Sequence, residues 1–438
     1  MLTQAGITVL PVVAILPLPS ALQADPAAQL LLTLAVILGA AKLGGDLAER
    51  IGQPAVLGEL LVGVILGNLG LVGVPWARGV LADPTVDALA RLGAVLLLFE
   101  VGLESTVGDV LKVGARSFVV AVLGVVTPWV LGWGVGAWLL TAHTTYAHIF
   151  LGATLTATSV GITARVMQDL ERSHTPEARI ILGAAVIDDV LGLVILAGIT
   201  SVISAANLGT DLSYGQLVLV LAKALVFLFG ALVLGRMISP RLFGWTKRLR
   251  GRGLLLTTAL VFCFLLAYLA SVVGLAPIVG AYAAGLVLEK VHYENFTNGG
   301  ERPLEELVRP IGTLLVPVFF VVMGMRVDLE AFTHPEVLGL AALLTVAAIL
   351  GKQACALAGF GAGLDPLVIG IGMIPRGEVG LIFANLGLGL TLHGERIVDQ
   401  RLYSAVVIMV VMSTLVTPPA LKWAFARRRG VGRLRGVS

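Results

Sequence analysis

The sequence predicts an all-α polytopic membrane protein of about thirteen spanning helices, and three observations carry that prediction. Hydrophobic residues make up 57% of the 438-residue chain and charged residues only 13%, where a soluble globule carries about 25% charge. The mean hydropathy is +0.97. The apolar residues also fall in stretches of bilayer length bounded by Gly, Pro or charge. Lipid favours helices there, because backbone polar groups in hydrocarbon must be satisfied within the segment.

In chain order the stretches lie near 27–46, 54–73, 87–105, 115–139, 147–168, 177–202, 214–238, 253–272, 275–290, 307–325, 336–359, 366–390 and 402–424. The weakest boundary is at Gly274 and Pro277, where two spans are only a few residues apart. Arginine and lysine set the orientation. The stretch 236–252 and the tail from Lys422 are rich in both and hold no acid, which places them in the cytoplasm. Loops 140–149 and 203–213 hold neither Lys nor Arg and come out external. Residue 27 is then external as well, and 425–438 is a basic cytoplasmic tail. Residues 1–26 are apolar, lack a basic start, and contain Pro11, Pro17 and Pro19. They form either a signal-like segment ending near Ala24 or an extra, non-standard helix. An external residue 27 requires an export device and favours the first.

Composition also excludes several classes. The net charge of +3 is placed between spans and at the tail, a pattern for membrane orientation and not for nucleic acid. Cys263 and Cys355 sit in apolar stretches with no ligand spacing, and the histidines form no metal motif. No phosphate-cradling G-x-x-x-x-G-K-[ST] occurs. The expectation is a protein that is not an enzyme and carries no cofactor.

Asp188 and Asp189 lie inside I-L-G-A-A-V-I-D-D-V-L-G-L-V-I-L-A. A carboxylate at the bilayer centre costs about 2.5 to 3.5 kcal/mol on insertion scales, so two neighbours need counter-charges, cations or protons. Lys352, in A-A-I-L-G-K-Q-A-C, is the natural counter-charge, although snorkelling to the interface is open to it. Successive helical residues point about 100° apart, so one aspartate can meet Lys352 while the other faces elsewhere. In 147–168, Thr154, Thr156, Thr158, Ser159 and Thr163 crowd one stretch. Such hydroxyls serve close helix packing, or supply oxygen ligands at a helix break. In 366–390, Pro375 and Gly377 predict a break, flanked by Arg376 and Glu378. These two charges either compensate each other and the helix ends or act more directly. Irregular helices in the middle of two triplets, the fourth to sixth and the eleventh to thirteenth spans, suggest an inverted repeat.

Together with G-Q-P-A-V-L-G-E-L-L-V-G-V-I-L-G (52–67), L-L-L-F-E-V-G-L-E (96–104), T-A-T-S (156–159), A-V-I-D-D (185–189), Lys352 and P-R-G-E (375–378), the chain resembles the monovalent cation/proton antiporter family. The resemblance is to its bacterial sodium/proton antiporters and the membrane domain of glutathione-gated potassium efflux proteins, over about residues 27–424. It implies an inverted-repeat antiporter fold with two crossed broken helices. Spans 115–202 and 336–424 would form the ion-transporting core, 27–105 and 253–325 a dimerisation region, and 214–238 a linker helix. It implies that Asp189 binds the cation, with Asp188 as partner and Lys352 as its lysine. Arg376 and Glu378 match the charged pair at the second crossed helix. An aspartate at 188 is the electrogenic pattern. The implied partners are protons and sodium, with lithium as surrogate and potassium as the alternative, for a homodimer in the bacterial inner membrane that serves pH homeostasis. Thr158, Ser159 and Asp189 would form the cation cage. Glu59 is expected near a membrane interface, and Gly63 and Gly67 make a G-x-x-x-G pair suited to helix contact, within or between subunits.

Overall fold

The computed structural model describes residues 26–435 apart from 75, 104–106, 142–143, 209–213, 247–252, 289–301, 328, 334, 361–362, 378–379, 381–382, 384–386, 388–389 and 393–394. The N-terminal segment (but for Pro26) and Glu378 therefore lie outside the described residues. Helices dominate: α1 (Pro26–Arg50), α2 (Ala55–Gly67), α3 (Trp76–Ala82), α4 (Pro84–Leu103), α5 (Val107–Leu139), α6 (Thr145–Thr154), α7 (Val160–Asp169), α8 (Pro176–Leu208), α9 (Tyr214–Thr246), α10 (Leu254–Val272), α11 (Pro277–Val287), α12 (Leu304–Met325), α13 (Pro335–Gln353), α14 (Pro366–Gly372) and α15 (Gln400–Arg435). A two-stranded hairpin, Thr391–Leu392 with Glu395–Arg396, sits between α14 and α15.

Among the described residues seven helices are long and apolar enough to cross a membrane by length and composition: α1, α5, α9, α10, α12, α13 and α15. That differs from the expected count of about thirteen, and the differences have physical causes. The expected span 147–168 is two half-helices, α6 and α7. The span from 366 has only α14 before its own break. Helices α2 and α11 are apolar but short. Helix α4 carries three charged residues, Asp87, Arg91 and Glu100, whereas α8 runs the full expected length of a span around its Asp pair. The boundary at Gly274 and Pro277 holds: Gly274 takes a left-handed φ of 92°, which a side chain would strain. Pro277 then opens α11, where its missing N–H is no loss. Helix α15 continues past the expected end of the last span, through the basic tail to Arg435.

Large apolar side chains such as Leu31, Leu43, Val226, Phe229, Leu265 and Tyr268 stand exposed on α1, α9 and α10, as lipid-facing helices present them. The buried apolar residues fall into clusters. One draws on α6, α8, α13 and α15 through Leu151, Ile203, Leu344 and Met409. Two others draw mainly on α1, α4, α9, α10, α11 and α12. A further cluster joins the groups, with Leu60, Leu98, Ile162, Ile181 and Phe320 together. Gly63 and Gly67 find their contact within the chain. Each faces α12 backbone, at Val321 and Gly324 or at Met325, so close that a Cβ would collide with a carbonyl oxygen.

Candidate functional site

The first break forms without proline. Helix α6 ends at Thr154, whose hydroxyl donates to Leu151 O at 2.7 Å, and Thr156 Oγ1 donates to Ala153 O at 2.8 Å. These hydroxyls occupy carbonyls that a terminating helix leaves without donors. The chain then runs unwound through Thr158 and restarts as α7 behind Ser159, whose Oγ accepts from Ile162 N at 3.5 Å. Such an N-cap is the ordinary start signal of a helix. The second break follows α14. Residues 374–377 are non-helical, and Pro375 has no N–H with which to continue the helix.

The two unwound segments cross and touch. Ser159 N donates to Pro375 O at 2.7 Å, and Gly377 lies against Ser159, where a Cβ would sit 2.6 Å from its Oγ. Thr163 Oγ1 donates to Gly372 O at 2.7 Å, tying α7 to the end of α14. Thr158 Oγ1 reaches Met373 O at 3.5 Å.

Half-helices ending inside the protein leave partial negative charge on their last carbonyls, and two cations meet it. Arg376, fully buried, donates to Ile374 O at 3.0 Å and to Leu155 O at the end of α6. Its own carbonyl accepts from Thr414 of α15. Lys352, also fully buried, uses all three donors: Thr156 O at 2.6 Å, Thr158 Oγ1 at 2.6 Å and Asp188 Oδ2 at 3.4 Å. The ion pair is the longest of the three. Asp188 Oδ1 is buried and accepts no hydrogen bond among the described residues.

Of the residues singled out in the sequence, Asp188, Lys352 and Thr158 therefore come together, with Ser159 and Arg376 at the adjoining crossing. Asp189 is the neighbour of Asp188 on α8 and is buried with 9% exposure, against 1% for Asp188. Thr158 gives its hydroxyl to the Lys352 side of the site, and the Ser159 side chain caps α7. Thr156, Thr163 and Thr414 make cross-segment bonds that sequence reasoning did not assign. Thr156 acts here through its carbonyl, which leaves no trace in residue type. Among the described residues no group of three His, Cys, Asp or Glu side chains could hold a metal ion. A cation here would meet carboxylate together with hydroxyl and carbonyl oxygens, the ligands hard cations accept.

A second, partly buried charged cluster escaped the sequence reading. Arg165 of α7 lies 3.4 Å from Glu59 Oε1 on α2 and 3.0 Å from Asp169 Oδ1 one turn on. Asp169 Oδ2 in turn accepts from Val56 N at 3.1 Å. The i, i+4 spacing of Arg165 and Asp169 was a readable signal for their own pairing, but not for Glu59.

The family profile described as sodium/hydrogen exchanger, transmembrane, matches residues 32–427. The chain is 35% identical over 432 residues to the high-affinity Na(+)/H(+) antiporter NhaS3 of Synechocystis sp., covering 91% of this chain and 90% of that protein. It is 35% identical over 403 residues to the Na(+)/H(+)-K(+) antiporter GerN of Bacillus cereus, covering 90% and 96%. Its fold is similar to that of the sodium proton antiporter MjNhaP1 from Methanocaldococcus jannaschii, with a TM-score of 0.64 at 16% identity over 93% and 98% of the two chains.

Proposed function

Because the chain belongs to the sodium/hydrogen exchanger family, we propose that it is a secondary active antiporter exchanging sodium for protons, with both competing for the buried Asp189. The observation that carries this reading is the buried Asp188–Lys352 pair beside two crossed helix breaks. Asp189 binds either a proton or a partly dehydrated cation, and Thr158 and Ser159 would complete its cage of oxygens. One carboxylate cannot hold both ligands at once, so loading one expels the other. Asp188 and Lys352 supply a second exchangeable proton, since a buried lysine and carboxylate change protonation as a coupled pair. Two protons per sodium then move net charge. Arg376 and Glu378 neutralise the breaks.

In this reading thirteen spans form the inverted repeat. The core of 115–202 and 336–424 moves against 27–105 and 253–325, joined by 214–238, in a homodimer of the inner membrane with a cytoplasmic C-terminus. Sodium is preferred because carboxylate and hydroxyl oxygens drawn close repay its larger hydration cost. Potassium is the second reading, favoured by the similarity to the Na(+)/H(+)-K(+) antiporter of Bacillus cereus.

Proteoliposomes test it. Asp189→Asn should abolish sodium-driven dissipation of a proton gradient, and exchange near the unaltered rate would remove the assignment. With no pH difference, an imposed membrane potential should drive sodium flux. Sodium flux should also exceed potassium flux across the working pH range.

A further inference from the structure

Helix α2 begins without a cap of its own. Pro54 precedes it and offers no side-chain acceptor, so its first N–H groups need acceptors from elsewhere. One comes from Asp169, 113 residues away at the end of α7, which accepts from Val56 N. One turn further along α2, Glu59 is 2% exposed and faces Arg165 of α7. Lys42 and Glu49 of α1 are the other charged groups near Glu59. A partly buried chain of Val56 N–H, Asp169, Arg165 and Glu59 thus fastens α7, which carries the crossing, to α2, which packs on α12 across Gly63 and Gly67.

This fastening lies at one end of the bundle. Gly52, just before α2, approaches Lys422 of the basic end of α15. Next along α2 the contact between the same two groups of helices loosens. Leu60 and Val64 line a cavity with Gly324, Val327, Gly377 and Thr414 that reaches the second break. Moving along α2 from the basic end, a close ionic contact gives way to a small cavity beside the second break.

We propose that Glu59, Arg165 and Asp169 form a gate that closes the basic end of the path to Asp189 and must part when the site opens to that side. This deepens the antiport reading and rests on it. Alternating access requires α7 to leave α2. The gate is built to part, because Asp169 caps α2 from a different helix group and Arg165 keeps Asp169 as a partner on its own helix. When α7 withdraws, Glu59 and the first N–H groups of α2 are left facing the opened path, where water replaces their partners.

The test reads the gate without reading transport. In a chain with Cys263 and Cys355 replaced by Ala, Val56→Cys puts a single thiol at a fully buried gate position. A membrane-impermeant maleimide is applied from the cytoplasmic side, in vesicles with no ion gradient. Glu59→Gln and Arg165→Gln should each be labelled about tenfold faster than the parent, equivalent to about 1.4 kcal/mol in the closed-to-open equilibrium. The charge swap E59R/R165E should return the rate to that of the parent. Asp169→Asn, which keeps size and one acceptor, should give a smaller increase and serves if either single variant fails to fold. Labelling at the parent rate in all folded variants would overturn the gate, as would a swap labelled as fast as the singles. Failure of the antiport reading shows separately, as absent sodium-coupled proton flux in the unaltered protein.

Discussion

Lys352 and Arg376 are both fully buried cations within one bond of the first helix break, yet they are held differently. Among the described residues Arg376 donates to carbonyl oxygens, those of Ile374 and Leu155, from a planar fork. Carbonyls do not titrate, and guanidinium keeps its proton, so this contact is fixed through any change of protonation. Lys352 also takes a carbonyl, but its remaining donors go to a hydroxyl and to Asp188. A lysine facing a carboxylate in a buried site can exchange its proton. One cation therefore fastens the ends of two half-helices, and the other faces a partner that can itself take up a proton. Neighbouring buried charges need not share a role, and what separates them is the chemistry of the acceptor.

Removing Arg376 should break this contrast most severely. Arg376→Ala leaves two buried carbonyls without donors, and bonds to charged groups contribute about 1.5–3 kcal/mol each. We expect a loss of about 3 kcal/mol or more, seen as a large fall in Tm of the purified protein in detergent. Arg376→Lys keeps the charge and loses the fork, and should recover less than half of that fall. Full recovery would mean that charge alone matters there.

Lys352→Gln should cost less stability, because the stranded Asp188 can take up a proton. The double variant Lys352→Gln with Asp188→Asn should be more stable than the sum of the singles, with a coupling of about 1–3 kcal/mol for groups in direct contact. Additive Tm changes would remove the pairing. The smallest effect is expected at the crossing itself. Gly377→Ala brings a Cβ to 2.6 Å from Ser159 Oγ, a hydroxyl that can rotate away at the loss of its cap on α7. About 1–2 kcal/mol follows from overpacking of this kind, again read from Tm.

Much of this was legible because burying charge is expensive. Asp188 and Asp189 in an apolar run, and Lys352 in another, announce a protected site whatever the fold. Pro375 announces a break because it lacks an N–H. The hydroxyl-rich run at 154–163 pointed to the other break, and Ser159 does cap the restarting helix. What stayed hidden depends on which distant atoms meet. Nothing in P-R-G-E says that Arg376 reaches Leu155 O, 221 residues away. Gly63 and Gly67 permit a close crossing without naming α12 as the partner. Glu59 reads as an interface residue until Arg165 is placed beside it. The number of spans was blurred because a broken span divides into half-helices, each too short to read as a crossing.

The separation of the site's parts along the chain has a consequence for biogenesis. Asp188 and Lys352 are 164 residues apart, and Ser159 meets Pro375 across about half of the chain's length. At about 5–20 residues per second, the ribosome needs on the order of ten seconds to deliver Lys352 after Asp188. During that interval the aspartates have no counter-ion from α13. A bare carboxylate in hydrocarbon costs about 2.5 to 3.5 kcal/mol, so α8 would enter protonated or wait beside the translocon. Assembly of the site is then among the last events of insertion. A nascent chain that stalls between α8 and α13 would carry two uncompensated acids in a membrane helix, a mark that membrane proteases can recognise.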